Sequence, residues 1–480
     1  MTYDVRGLES ALTYPSGLKI VYEHDEIGRL TAMTTRNPSV VPELSYTVTY
    51  DAAGQVVGIT DGTEEHVYAY DAAGRLTAAD HPDGGPLVDE WYAYDALGRR
   101  TASHLSAVYS YDAAGRLLAD DTYAYEHDAN GQMTAITEPA EDFRLELAYD
   151  AAGLLAELRQ RQATSGDVIA ALVYARDGEG RMAFVEETPA GTTRQDFRDG
   201  QNLVLTRYGD GAEERYVHAE GIDVPLAAVS GDGAVALVRN AREDVVGIID
   251  AGGGLADTYV YDSFGRTDDS VAPVRFGFGS RERRTFGRVE LYDLRARLFV
   301  PWLGAFTSRD PAGGSAIAEY AYVRGAPLMQ RDPLGRYELH QSANPFTGKI
   351  EAAIAMLRQA FANNPREACE CTNYFSSQKN SAYHDVDKWL SPGGYPNIVA
   401  ALPTGNELGW AMGTPPFSNL YISTKLLDKM PPDICTIASV ISHEVGHLSR
   451  KDEKGNEREP KEFFEACTFS GGGCINPTYK

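Results

Sequence analysis

Apolar and polar residues alternate in short runs along the first two-thirds of the chain. Glu65-His66-Val67-Tyr68-Ala69-Tyr70 is one such run, and a period of two marks a strand with one buried face. A recurring group punctuates these runs. It reads Tyr50-Asp51-Ala52-Ala53-Gly54, Tyr70-Asp71-Ala72-Ala73-Gly74-Arg75, Tyr94-Asp95-Ala96-Leu97-Gly98-Arg99, Tyr111-Asp112-Ala113-Ala114-Gly115-Arg116 and Tyr149-Asp150-Ala151-Ala152-Gly153. Weaker copies stand at Asp25, Asp128, Asp177 and Asp262. From Asp25 to Asp177 successive aspartates are 16 to 27 residues apart, and a longer gap precedes Asp262. Asp starts a turn by accepting hydrogen bonds from amides ahead of it, and Gly takes a positive φ. Each unit is therefore a strand, a tight turn and a strand. Stacked hairpins cover one another's edges, which predicts an extended, curled antiparallel sheet.

After Arg336 the pattern changes. Ile350, Ala353, Ile354, Leu357 and Phe361 recur at helical spacing, and Asn364-Pro365 closes that run. Residues 401–417 are rich in Gly and Pro, and Asn419–Ser423 reads as a strand. Pro431-Pro432-Asp433 opens a helix that runs to Leu448, with Asp433 near its positive end. Pro460 is well placed to open another over 461–469. The predicted class is mostly β, with a small α+β unit at the C-terminal end.

Composition sharpens this division. The 480 residues carry a net charge of −25, which argues against binding of nucleic acid or an anionic membrane by the surface as a whole. The region after His340 holds 13 Lys+Arg against 15 Asp+Glu, so nearly all of the acid excess precedes it. All five cysteines (Cys369, Cys371, Cys435, Cys467 and Cys474) fall in the last quarter, marking a domain change. The odd number leaves at least one thiol unpaired in the chain, and pairing is not readable from spacing. No apolar run approaches a membrane span, and no signal-like segment follows Met1, so delivery without a cleaved signal is expected.

The C-terminal helix carries His443-Glu444-Val445-Gly446-His447. Two histidines four apart share one helix face and can hold one Zn²⁺, while Glu444 takes the proton of the water that the metal acidifies. The long continuation of this motif would need Gly at 450 and His at 453. Arg450 and Glu453 stand there instead. A third ligand on the next helix fits better: Glu462 borders that helix's buried face, with Glu459 as the alternative. His384 is a candidate for steadying an oxyanion. A plain solvated face for these glutamates, or a metal-free helix, is the competing reading.

The repeats resemble the YD repeats of Rhs proteins, of insecticidal toxin-complex C subunits and of teneurins. That resemblance covers roughly residues 1–336 and implies a hollow β-shell enclosing the segment that follows. About 330 residues is short for a complete shell, so the chain reads as the closing part of one, or as reliant on a partner chain. Residues 1–275 are the expected repeat shell. Residues 276–336, from Phe276-Gly277-Phe278-Gly279 through Pro301-Trp302-Leu303-Gly304 to Asp332-Pro333-Leu334-Gly335-Arg336, look like an Rhs core terminus. Residues 337–480 are the expected zincin-like toxin domain.

Paired Asp-Pro-x-Gly motifs in that core terminus resemble an autoproteolytic site. They imply Asp310 and Asp332 as a dyad, Arg309 as a cation that keeps one carboxylate ionised, and cleavage after Arg336. The family's usual Leu at the cut is Arg336 here, and the first motif ends in Gly314. The resemblance further implies an interbacterial toxin with a cognate immunity protein, a contact-dependent (type VI-like) secretion apparatus or its adaptor, and a protein or peptide substrate. A non-enzymatic adhesion protein and a metallo-hydrolase of a non-peptide bond are the alternatives.

Overall fold

The computed structural model describes residues 2–4, 8–14, 16–37, 40–178, 180–219, 222–267, 275–286, 289–310, 319–335, 339–340, 397–401, 409–412 and 419–423. Two antiparallel meanders dominate. A ten-stranded sheet runs from Thr2–Tyr3 to Arg100–Ser103, and a fifteen-stranded sheet from Ser110–Tyr111 to Leu255–Thr258. Every strand in each pairs only with its neighbours in sequence. Such local pairing is what short hairpin units produce.

The repeat turn has one geometry. At Asp71, Oδ1 accepts the amides of Ala73 (2.9 Å) and Arg75 (3.0 Å), while Arg75 Nε donates to Oδ2 at 2.6 Å. Gly74 sits at φ +78° and its amide bonds the Asp71 carbonyl at 2.9 Å. In several repeats the tyrosine ties that repeat to the one before. Tyr70 donates to the Val56 carbonyl (2.6 Å), Tyr111 to Arg100 (2.8 Å) and Tyr149 to Met133 (2.9 Å). Arg75 lies 4.8 Å over the Tyr94 ring, and Arg99 4.8 Å over Tyr111. Each such contact contributes about 0.5–1.5 kcal/mol, so the wall is held by many modest links.

The long gap before Asp262 contains further turns of this kind. Asn240 accepts the amides of Arg242 (2.9 Å) and Asp244 (3.0 Å) through its side chain. Asp250 accepts the amide of Gly254 at 3.0 Å. Sequence reading missed them because Asn replaces Asp in the first and Gly crowds the second.

The ribbon curls until its start meets its end. Tyr14 donates to the Leu237 carbonyl at 3.1 Å, and Glu90 accepts the amide (3.0 Å) and hydroxyl (2.9 Å) of Ser263. A four-stranded sheet, Glu282–Phe306, fills the curl. One apolar cluster joins Leu18, Ile20, Met33, Leu76 and Ile249 of the wall to Phe264, Phe276, Phe299 and Phe306. A second joins Met133, Leu145, Leu158 and Val185 to Val289, Leu291, Leu298 and Val300. This filling is tied to the wall by buried charge. Arg198 pairs with Glu282 at 2.5 Å, and Arg275 Nη1 bonds Asp196 at 2.7 Å.

Strands Asn397–Ala401, Gly409–Met412 and Asn419–Ser423 join Gln330–Arg331 and Leu339–His340 in a five-stranded sheet with both parallel and antiparallel pairs. The expected strand at Asn419–Ser423 is present. The helices expected over 350–363, 433–448 and 461–469 lie outside the described residues. Among the described residues there is no α-helix, and none that is long and apolar enough to cross a membrane.

Candidate functional site

The end of the filling carries the two Asp-Pro motifs. Asp310 follows the strand Ala305–Phe306, and Asp332 follows Gln330–Arg331. Arg297 stands between them. Its Nη2 lies 2.8 Å from Asp332 Oδ2 and 3.3 Å from Asp310 Oδ2, so both carboxylates address one nitrogen. Asp332 is 1% exposed. The Asp310 side chain is 31% exposed, so the site is half open, and two carboxylates on one nitrogen still repel unless a cation offsets the repulsion. Arg297, stacked 3.6 Å over the Phe306 ring, supplies that charge.

Arg309, the cation expected beside Asp310, pairs with Glu319 at 3.2 Å. Arg297 is the guanidinium shared by the two aspartates. Sequence reading misses it, because Tyr292-Asp293-Leu294-Arg295-Ala296-Arg297 reads only as part of the core terminus, with no role for either arginine. The signal available was a second Arg, two residues after the first, in a loop that lacks the repeat's Gly.

The same loop grips the chain that leads to the expected cut. Arg295 Nη1 donates to the Pro333 carbonyl (2.6 Å), the Ala296 amide to Leu334 (3.2 Å) and Arg297 Nε to Gly335 (2.6 Å). Three successive residues thus hold three successive carbonyls. Gly335 has φ +67°, and a Cβ there would lie 2.6 Å from the Leu294 carbonyl oxygen. Only Gly fits this grip without strain. Arg336 and the bond after it lie outside the described residues. So do His384, His443, Glu444, His447, Glu459 and Glu462.

The family model for the teneurin YD shell matches residues 8–251. The chain belongs to that family. This YD-shell protein is 22% identical over 413 residues to the toxin subunit YenC1 of Yersinia entomophaga, covering 70% of this chain and 42% of that protein. It is 25% identical over 230 residues to the tRNA3(Ser)-specific nuclease WapA of Bacillus spizizenii, covering 46% and 9%. The YD-shell chain therefore spans less than half the length of these curated relatives. The crystal structure of TcdB2-TccC3-Cdc42 superposes with a TM-score of 0.58 at 18% identity, over 70% of this chain and 19% of that one. That likeness is one of fold.

Proposed function

We propose that this chain is the closing part of a bacterial toxin, a YD shell that cuts itself after Arg336 and so frees a zinc-dependent hydrolase carried in residues 337–480. The meeting of Asp310 and Asp332 on Arg297 Nη2, next to the gripped segment Asp332–Gly335, carries the first half of this reading. The names of the relatives, a toxin subunit and nucleases, support delivery as a toxin.

In the proposed reaction one carboxyl of the pair enters protonated and the other ionised, the division of labour that paired carboxyl groups allow. The ionised member takes a proton from water as its oxygen attacks the carbonyl carbon of residue 336. The protonated member donates to the carbonyl oxygen, and the leaving amide nitrogen then collects a proton as the C–N bond breaks. One water is consumed, and a carboxylate and an amine are formed. Arg297 fixes both carboxylates, and the grip on Pro333, Leu334 and Gly335 holds the residues that lead to the bond.

The WapA relatives are named as nucleases, but residues 337–480 point to another chemistry. Their charge is close to balanced, which does not favour a phosphate backbone. His443, His447 and a carboxylate at Glu462 or Glu459 are the donor types that zinc takes in hydrolases. Zinc held there would supply Lewis acidity that eases deprotonation of water near neutral pH. Glu444 is the base that accepts the proton, and a protein or peptide is the substrate class. An immunity protein and a secretion apparatus are the partners this role requires.

The test is expression of the full chain in bacteria, with toxicity and denaturing gels read together. Toxicity and a C-terminal fragment of about 144 residues are expected, the length from Tyr337 to Lys480. Glu444→Gln should abolish toxicity and leave the fragment. Toxicity undiminished by Glu444→Gln would refute the hydrolase, and a wild-type chain that stays whole would refute the self-cleavage.

A further inference from the structure

Neither aspartate arm is positioned by the filling alone. The Asp310 arm leans on the repeat turn His127–Gly131. Tyr320 donates to the Gly131 carbonyl at 2.7 Å, and Arg309 Nε reaches the Tyr320 hydroxyl at 3.3 Å. The Asp310 amide bonds the Glu319 carbonyl at 3.0 Å, next to Tyr320. The neighbouring wall strand joins in, through the Met133 amide to the Thr307 carbonyl at 2.7 Å. A Cβ on Gly131 would lie 2.7 Å from both Arg309 Nε and the Tyr320 hydroxyl, so this turn and this arm are fitted closely.

The Asp332 arm leans on a different part of the wall. Arg295 forks onto Asp223 with bonds of 2.6 and 2.9 Å, and its Nη2 also reaches the Gln201 carbonyl at 3.2 Å. The same guanidinium then holds the Pro333 carbonyl at 2.6 Å. Asp223 is 3% exposed, so this pair is set in the wall and little screened by solvent. The two supports, at 127–133 and at 201–223, lie in the fifteen-stranded sheet with several hairpins between them.

We infer that the wall is part of the self-cleaving machinery: Tyr320 on Gly131, and Arg295 on Asp223, are positioning contacts that bring Asp310 and Asp332 onto Arg297 only when both stretches of wall are in place around the filling. This inference rests on the self-cleavage proposed above. Its consequence is order. The chain folds its shell first and is cut second, so cargo is not freed from a half-built wall. The physical ground is the steep dependence of such reactions on placement, where about 1 Å of misplacement costs on the order of a hundredfold in rate.

The experiment is pulse-labelling of the full chain in a cell-free extract, with the chase followed on denaturing gels. Tyr320→Phe removes one hydroxyl and keeps the ring. Asp223→Asn removes the charge that pairs with both Arg295 and Arg281 and keeps the shape. Each should slow appearance of the fragment by about tenfold or more, in chains that still resist limited proteolysis of the wall. Because the supports are separate, the two effects should multiply. Gly131→Ala acts on the same contact as Tyr320→Phe, so adding it to that variant should slow cutting little further. Arg295→Lys, which keeps a charge for Asp223, should cut faster than Arg295→Met, a rescue that mere loss of packing would not give. Wild-type cutting with Tyr320→Phe and Asp223→Asn at the wild-type rate overturns the inference. An uncut wild type overturns the self-cleavage itself.

Discussion

Arg297 Nη2 lies 2.8 Å from the Asp332 carboxylate, at the point where the end of the shell folds back against its own filling. Arg297→Met removes the charge and the hydrogen bond to Gly335 while keeping much of the apolar stem. The two carboxylates then repel without the guanidinium they share, one of them buried and the other partly exposed. Self-cleavage should fall at least a hundredfold, because a group that fixes both reacting carboxylates is lost. Arg297→Lys keeps the charge without the fork and should lie between. The time course of the C-terminal fragment on denaturing gels reads both.

Gly335→Ala should be equally informative. The new methyl would press on the Leu294 carbonyl oxygen at 2.6 Å, with the backbone at φ +67°. The cost is about 1–3 kcal/mol, and it falls on the loop that grips Pro333, Leu334 and Gly335. Slowed cleavage with an almost unchanged melting temperature for the wall is the expected pattern. Uncut chain together with a collapsed wall would mean that the grip supports the fold rather than the reaction.

The joint at Glu90 predicts a pH dependence. Burial, and then the neighbouring Glu90, push the Asp262 carboxyl up to about 7. An acid whose folded pKa is raised binds its proton more tightly when folded. Its contribution to stability is therefore full below the unfolded value near 4 and is lost as pH rises through about 7. Asp262→Asn should flatten the stability profile between those limits. Asn240, which accepts two amides in an equivalent turn, shows that an amide serves this geometry. Urea midpoints of wild type and variant at pH 5 and pH 8 compare the two directly, and parallel profiles would exclude Asp262 as the titrating group.

Much of this architecture was legible in the chain. The Tyr-Asp-x-x-Gly group gave the turns because Asp and Gly each have a backbone reason to be there. Less visible was why Tyr precedes Asp: its hydroxyl reaches the preceding repeat, as Tyr111 does to Arg100, a contact between units that no single unit displays. The turns at Asn240 and Asp250 were hidden by substitution and by extra Gly. Asp310 and Asp332 could be paired through their Asp-Pro contexts, whereas Arg297 between them is marked only by following Arg295 by two residues in a loop without the repeat's Gly. Its partners stand 13 and 35 residues away and meet it only in the folded chain.

Metal content gives a separate check on the C-terminal unit. About one zinc per chain is expected by elemental analysis of the purified protein, and close to none in His443→Ala. Glu444→Gln should retain the zinc, because the base is not a ligand. Full zinc content in the His443→Ala, His447→Ala double variant would place the metal elsewhere.

The intact mass of the products from freshly purified full chain is the most direct measurement. A chain cut once between Arg336 and Tyr337, in wild type but in neither Asp310→Asn nor Asp332→Asn, is the expected result. A single intact mass for the wild type, or the same two fragments in both aspartate variants, would contradict self-cleavage by this pair.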